Sequence, residues 1–130
     1  MRPAILLLAS DPLIRKAVRR ALETEDYCVM TADDVDAAGE LLTNFSPDLL
    51  IVRPYIRSLP GHQAAEYLRR IRPGIPVLIV GGLLDDSSLE DREVLERFEI
   101  FPKPYTPAEL LGKVREVLAK HRRPAASGES

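Results

Sequence analysis

Apolar residues along the chain fall into short uninterrupted runs separated by longer stretches with helical spacing. Three runs stand out, at 4–8, 49–53 and 75–80, and each is followed by small, polar or charged residues. Runs of this kind are typical of central parallel strands, because both faces of such strands are covered. Two shorter β-prone runs, at 27–31 and 98–101, bring the number of predicted strands to five.

Two helices are predicted in the first half of the chain. Asp11 is a predicted N-cap followed by Pro12 at the first helical position, and Asp33 is a predicted cap for a helix ending near Asn44. Residues spaced three and four apart form one apolar stripe on each helix. The predicted inward residues are Ile14, Ala17, Val18, Ala21 and Leu22 on the first helix, and Ala37, Ala38, Leu41 and Leu42 on the second.

Three further helices are predicted in the second half. One follows Pro60-Gly61, and a less regular one covers part of 83–97 from Ser87 or Ser88. The last begins at a capping box formed by Thr106 and Glu109, which is a specific signal for a helix N-terminus. The predicted inward residues are Ala64, Tyr67, Leu68 and Ile71 on the third helix, and Leu110, Leu111, Val114, Val117 and Leu118 on the last.

Five strands alternating with five helices predict an α/β domain with a parallel sheet and helices on both of its faces. We expect one domain over residues 1–120 and a flexible polar tail over 121–130. The formal net charge of -2 gives no argument for nucleic-acid binding. The longest apolar run is too short for a membrane span, and the single cysteine suits a reducing compartment. We therefore expect a cytoplasmic protein that binds neither membrane nor nucleic acid.

The ends of the predicted strands carry the candidate chemistry, because ligands of parallel sheets bind outside the carboxyl ends of the strands. Arg53 follows the third strand, in the middle of the sheet. The residues predicted to converge with it into one pocket are Ala9, Ser10 and Asp11 after strand one, Gly81 and Gly82 after strand four, and Lys103 after strand five.

At these residues the sequence resembles the receiver domain of bacterial two-component response regulators, over residues 3–120. The most specific matches are ILLL before Asp11, PDLLIV before Arg53, IPVLIV before Gly81, and PKPY around Lys103. The resemblance implies a flavodoxin-like (βα)5 fold, doubly wound in three layers, with strand order 2-1-3-4-5. It also implies a role in phosphorelay signal transduction.

The resemblance covers the scaffold and fails at the site. It implies that Ala9 and Ser10 stand where two acids hold Mg²⁺, and that Arg53 stands where an aspartate accepts the phosphoryl group. It places Gly81 at the position of a phosphoryl-contacting Thr or Ser, and Ile100 at that of an aromatic switch residue. Of the family's usual site residues only Lys103 matches.

Arg53 cannot replace the aspartate, because a guanidinium stays protonated and has no lone pair with which to attack phosphorus. It would also repel a cation a few Å away, and Mg²⁺ needs carboxylate or other oxygen ligands. The sequence therefore predicts a degenerate pseudo-receiver with no Mg²⁺ site, no other cofactor and no enzymatic activity. Phosphotransfer through Asp11 or Asp48 is a weaker alternative, because Asp48 lies at the wrong end of its strand and Asp11 has no acidic neighbour.

Three roles are open for Arg53 and Lys103. Either cation can pair with Asp11, the two can form an anion or small-molecule pocket that makes the protein a sensor, or Arg53 can face a protein partner. The other polar candidates carry less chemistry. We expect a surface position for His62 and His121, a solvated loop or helix cap for Asp85 and Asp86, a buried position for Cys28 and no nucleophilic role for Ser10.

The leading functional hypothesis is a stand-alone protein-interaction module whose output does not depend on phosphorylation. The resemblance implies that partners bind the face formed by residues 87–120. That stretch has mixed charge, which permits a homodimer as well as a signalling partner. The charged residues near its start are Glu90, Asp91, Glu93 and Glu96, close to Arg92 and Arg97.

Overall fold

The structure is a computed structural model that describes residues 2–81 and 89–121. Five parallel strands form one sheet in the order β2-β1-β3-β6-β7, and β4 and β5 form a separate two-stranded hairpin. The strands are β1 Ala4–Leu8, β2 Cys28–Ala32, β3 Leu49–Val52, β4 Tyr55–Ile56, β5 Leu59–Pro60, β6 Val77–Val80 and β7 Glu99–Phe101. The helices are α1 Pro12–Glu23, α2 Val35–Asn44, α3 Gly61–Ile71, α4 Leu89–Arg97 and α5 Pro107–His121.

The apolar runs form the centre of the sheet, as predicted. Alternate residues of each run point to opposite faces, so that Leu6 and Leu50 pack into one core cluster while Ile5 and Leu49 pack into the other. The helices α2, α3 and α4 contribute to the first cluster, and α1 and α5 contribute to the second. The three-layer flavodoxin-like fold is therefore confirmed, with the predicted strand order once the short hairpin is left aside.

The predicted cap of the second helix is wrong by one residue. The Asp34 carboxylate accepts a hydrogen bond from the Ala37 N–H at 2.8 Å, which makes Asp34 the N-cap of α2. Asp33 is exposed and precedes the cap. Both aspartates satisfy the sequence preference for an N-cap, and only the backbone geometry decides which carboxylate reaches the third N–H of the helix. The caps predicted at Asp11 and Thr106 are confirmed.

Three residues predicted to be buried are exposed. Cys28 is exposed because it begins β2, an edge strand that pairs only with β1. Ala17 is exposed on α1, and Tyr67 is 47% exposed on α3. The buried stripe of α3 is narrow and consists of the small residues Ala64 and Ala65 together with Leu68 and Gly61.

Element boundaries shift slightly from the prediction. Strand β3 ends at Val52, so Arg53 lies just beyond it, and β6 begins at Val77. Helix α5 reaches His121, one residue into the predicted tail, and residues 122–130 lie outside the described part of the chain. Ser87, Ser88, Asp85 and Asp86 also lie outside it. Over 2–81 and 89–121, no helix is long and apolar enough to cross a membrane.

Candidate functional site

The carboxyl ends of β1, β3, β6 and β7 lie side by side at the same end of the sheet. Leu8 lies beside Val52, Val52 lies beside Ile79, and Val80 lies beside Phe101. The residues that follow these strand ends are therefore neighbours, as predicted from the sequence. They include Arg53 and Gly81, whereas Gly82 lies outside the described residues.

Arg53 points across the sheet toward the end of β6. Its Nη1 atom donates a hydrogen bond to the Val80 carbonyl oxygen at 2.7 Å, and its backbone N–H donates to the Leu8 carbonyl at 3.3 Å. The side chain is half-buried. A guanidinium is more weakly hydrated than an ammonium, so it tolerates a half-buried position with a carbonyl as its partner. Arg53 thus connects β1, β3 and β6.

Gly81 lies directly against this guanidinium. Its φ of +101° is rare for a residue with a side chain, and a Cβ atom there would overlap Arg53 Nη1 and lie 2.7 Å from Cζ. The Gly81 N–H donates to the Phe101 carbonyl at 2.8 Å. A side chain at position 81 would therefore require the Arg53 guanidinium to move from this position.

A second glycine, Gly61, approaches Arg53 from the other side. It is the first residue of α3, and a Cβ atom there would overlap the Arg53 carbonyl oxygen and lie 3.1 Å from the Pro54 carbonyl oxygen. The Gly61 N–H donates to that Pro54 oxygen at 2.6 Å. The start of α3 therefore packs directly on the backbone that carries Arg53.

The Asp11 carboxylate caps the N-terminus of α1. Its Oδ1 atom accepts hydrogen bonds from the Leu13 N–H at 2.9 Å and the Ile14 N–H at 3.4 Å. None of the ion pairs within residues 2–81 and 89–121 joins Asp11 to Arg53 or Lys103. Of the three roles left open for Arg53 and Lys103, pairing with Asp11 is therefore not formed in this structure, because capping turns the carboxylate toward the helix backbone.

Ser10 holds the β4–β5 hairpin in place. Its Oγ atom accepts a hydrogen bond from the Arg57 N–H at 3.2 Å, and Arg57 adopts a left-handed backbone with φ of +59°. Arg57 Nη2 also lies 3.9 Å from Asp33 Oδ2, between two exposed side chains. The hairpin therefore spans the loops after β1 and β2. Sequence reasoning missed it, because two-residue strands leave no apolar pattern.

The remaining predicted residues are Ala9 and Lys103 of the pocket and Ile100 at the predicted switch position. Ala9 is fully buried, and its carbonyl accepts a hydrogen bond from Arg15 Nη1 at 2.8 Å. Ile100 is half-buried against the core cluster beneath α2 and α3. Lys103 is exposed and has no hydrogen-bond or ion-pair partner among the described residues. Arg53 Nη1 and the backbone N–H groups of Gly81 and Arg57 already donate to oxygens of the protein.

The predicted partner face holds a separate cluster of charges. Glu99 on β7 lies 2.8 Å from Lys113 Nζ and also pairs with Lys120, while Lys113 lies 3.1 Å from Glu116. Hydrogen bonds from Lys113 and then Lys120 lower the pKa of the Glu99 carboxyl to about 2, and the bond to Glu99 raises the pKa of Lys113. These pairs connect the edge strand to α5.

Groups suited to metal binding are scarce in the described residues. No set of three or more His, Cys, Asp or Glu side chains there is arranged to hold a metal ion. His62 is half-buried at the start of α3, and so is less exposed than predicted. His121 lines a cleft of about 510 Å³ at the opposite end of the sheet, where the strands begin, together with Arg2, Asp48 and Arg72.

Comparisons with known proteins agree with this architecture. The family model for the response regulator receiver domain matches residues 5–115. The chain is 28% identical over 128 residues to the response regulator MprA of Mycolicibacterium vanbaalenii, a match that covers 97% of this chain and 54% of the relative. The chain thus spans about half the length of the curated relatives it matches.

Solved structures of receiver proteins have the same fold as this chain. A CheY-like receiver domain protein from Methanospirillum hungatei superposes with a TM-score of 0.80 at 25% identity, covering 93% of this chain and 97% of that one. A putative response regulator from Chloroflexus aurantiacus superposes with a TM-score of 0.78 at 21% identity, covering 92% and 99%. The chain therefore belongs to the response regulator receiver domain family, whose members act in two-component signalling.

Proposed function

We propose that this chain is a pseudo-receiver, a signalling module whose output does not depend on phosphorylation. The observation that carries the proposal is the hydrogen bond from Arg53 Nη1 to the Val80 carbonyl oxygen. It places a fixed cation at the carboxyl end of the central strand β3, where the resemblance implies an aspartate acceptor. A guanidinium cannot form an acyl phosphate, so the central strand delivers no nucleophile.

The surrounding residues do not fit the Mg²⁺ ion that phosphotransfer requires. A magnesium site is built from carboxylate oxygens together with water and phosphate. The one acid after β1, Asp11, uses its carboxylate to cap α1, and the Ser10 hydroxyl accepts the Arg57 N–H. The Arg53 guanidinium adds a positive charge beside this position. We derive no step through a metal at this edge of the sheet.

The proposed role of the domain is to bind another signalling protein in the cytoplasm. The proposal includes no catalytic activity and no binding to nucleic acid or to a membrane. The proposed contact surface lies on α4, β7 and α5, within residues 87–120. The Glu99–Lys113–Lys120 cluster supports this choice, because it fixes charges of both signs on the edge strand and the adjacent helix. Surfaces of mixed charge suit specific docking to a complementary partner, which includes a second copy of the chain.

Acetyl phosphate with Mg²⁺, followed by intact-mass measurement, tests the absence of phosphotransfer. We expect no mass increase, whereas a receiver with an acceptor aspartate is labelled under the same conditions. The Arg53→Asp variant is the matched control within this chain, and we expect it to stay unlabelled because Ser10 and Asp11 still provide no metal site. A phosphoryl adduct on an acid at this edge of the wild-type protein would refute the proposal.

Affinity capture with two variants tests where partners bind. We expect Glu99→Lys, which reverses a charge on the β7–α5 face, to lose at least tenfold in affinity for the captured partner or in self-association. Gln63→Lys on the exposed part of α3 changes charge by +1 away from that face and serves as the control. Equal binding by wild type and Glu99→Lys would remove the face from the proposal. Light scattering across concentration distinguishes a homodimer from a different partner.

A further inference from the structure

We infer that Arg53 is a positioning residue whose guanidinium takes the place of a side chain at position 81 and thereby fixes the end of β7. The three residues Arg53, Val80 and Gly81 are called the Arg53 interlock below. The inference deepens the proposed function and rests on it, because it states how an arginine at this site influences the proposed partner face. Its tests do not use phosphorylation.

The guanidinium of Arg53 fits closely against Gly81. It lies where a Cβ atom of residue 81 would be, and it also donates to the carbonyl of residue 80. The peptide between residues 80 and 81 is therefore held by a hydrogen bond at its oxygen and by van der Waals contact at the following Cα.

Arg53 is itself rigidly supported. Its backbone N–H donates to Leu8 on β1, and Gly61 lets the first turn of α3 pack against its carbonyl oxygen. The neighbouring strand residues Val52 and Ile51 are fully buried. These contacts hold the Arg53 backbone, and the hydrogen bond to the Val80 carbonyl oxygen orients its side chain toward Gly81.

The contacts continue from Gly81 to the edge of the sheet. The Gly81 N–H donates to the Phe101 carbonyl at 2.8 Å, and Phe101 is the last residue of β7. The Phe101 ring lies 5.3 Å from the Tyr105 ring, between ring centroids. Strand β7 has only β6 as a sheet neighbour, so this hydrogen bond is one of few that hold its carboxyl end. The interlock therefore sets the position of β7 and of the residues that follow it.

A double-mutant cycle in chemical denaturation tests the close contact between Arg53 and Gly81. Gly81→Ala should lower the unfolding midpoint far more than Gly74→Ala, because Gly74 also has a positive φ, of +85°, but a Cβ atom there would meet no atom within 4 Å. In an Arg53→Ala background the penalty of Gly81→Ala should fall to that of Gly74→Ala, which reports the φ cost alone. Strictly additive penalties would overturn the inference.

Amide hydrogen exchange provides a test that needs no change at residue 81. Arg53→Met keeps much of the side-chain length and removes the donor, so we expect the Gly81 amide to exchange at least tenfold faster. The Cys28 amide, which donates to the Pro3 carbonyl at the other edge of the sheet, is the internal control and should not change. Equal exchange of the Gly81 amide in both proteins would refute the inference.

The outcomes separate the two proposals. A phosphoryl adduct on the wild-type protein would refute the pseudo-receiver and leave the interlock standing. Additive denaturation penalties together with unchanged exchange would refute the interlock and leave the absence of phosphotransfer standing. If the Gly81→Ala variant does not fold, the exchange measurement on Arg53→Met decides alone.

Discussion

Two regions each hold a partly buried cation: the end of the sheet where the parallel strands terminate, and the face formed by β7 and α5. The partners that compensate the positive charge differ between the two regions. Arg53 is bound by a backbone carbonyl, that of Val80. Lys113 has a side chain that is 17% exposed, and it is bound by the carboxylates of Glu99 and Glu116. One region thus uses a fixed dipole and the other uses an ionisable group.

This difference determines how each region responds to its surroundings. A backbone carbonyl has no ionisable group, so the acceptor of the Arg53 hydrogen bond does not change with pH. The Glu99 carboxyl has a pKa lowered to about 2 by its two lysines, so its contribution depends on pH. A carbonyl partner therefore suits a site that has to keep one conformation. An ionisable partner suits a contact surface, where a change in charge with pH can be tolerated.

The largest expected effect comes from a methyl group added at Gly61, and the same addition at Gly112 serves as its control. Gly61→Ala would push a Cβ atom into the Arg53 carbonyl oxygen, and we expect a loss of about 3 kcal/mol or more in unfolding free energy. Gly112→Ala is the matched change in α5, where the nearest atom is 3.9 Å away, and we expect a gain of about 0.5–1 kcal/mol. Urea denaturation measures both. Equal effects of the two substitutions on the unfolding free energy would show that Gly61 does not pack closely against the Arg53 carbonyl oxygen.

Removing the donor of Arg53 ranks second. Arg53→Met should cost about 1.5–3 kcal/mol, the range for one hydrogen bond that involves a charged group. Because the acceptor is a backbone carbonyl with no ionisable group, the loss should be the same at pH 3 and pH 7. Denaturation at the two pH values gives the measurement. A loss that changes with pH would point to a carboxylate partner for Arg53 instead.

Glu99→Gln should cost about 1 kcal/mol at pH 7, since the pairs are partly exposed. The pKa of Glu99 is lower in the folded protein than its ordinary value of 4.5, so its stabilisation is fully present above pH 4.5 and is lost as the pH falls toward 2. Wild type and variant should therefore converge in acid. Stability curves that stay parallel down to pH 2 would contradict this assignment.

Lys103→Ala should have the smallest effect, within about 0.5 kcal/mol, because the side chain is exposed and has no partner in the described part of the chain. A thermal melt with and without millimolar phosphate measures stability and anion binding together. We expect the same midpoint in all four samples. A phosphate-dependent rise in wild type that disappears in the variant would revive the anion-sensor hypothesis.

The sequence predicted the central strands because their signal is local. Runs such as AILLL and LLIV are apolar at every position, and this pattern alone indicates coverage on both faces. The capping box at Thr106 and Glu109 was equally clear, and both of its hydrogen bonds are present. The exposure of Cys28 was not predictable from its neighbours, because it depends on which strand lies at the edge.

The site was predictable only in its location. Strand ends brought Arg53 and Gly81 together, as expected for a parallel sheet. The partner of Arg53 was not predictable, because a backbone carbonyl 27 residues away leaves no trace in residue type. Asp11 was the natural candidate by charge, and its use as a helix cap removed it. Roles that depend on residue type were foreseen, whereas roles that depend on register and rotamer were not.

The close approach of Arg53 to Gly81 also restricts how this site can change by mutation. Any residue larger than glycine at position 81 meets the guanidinium while Arg53 is present. A side chain at position 81 would have to displace the guanidinium and also adopt a φ of +101°, so a change at residue 81 is expected to depend on the residue at position 53.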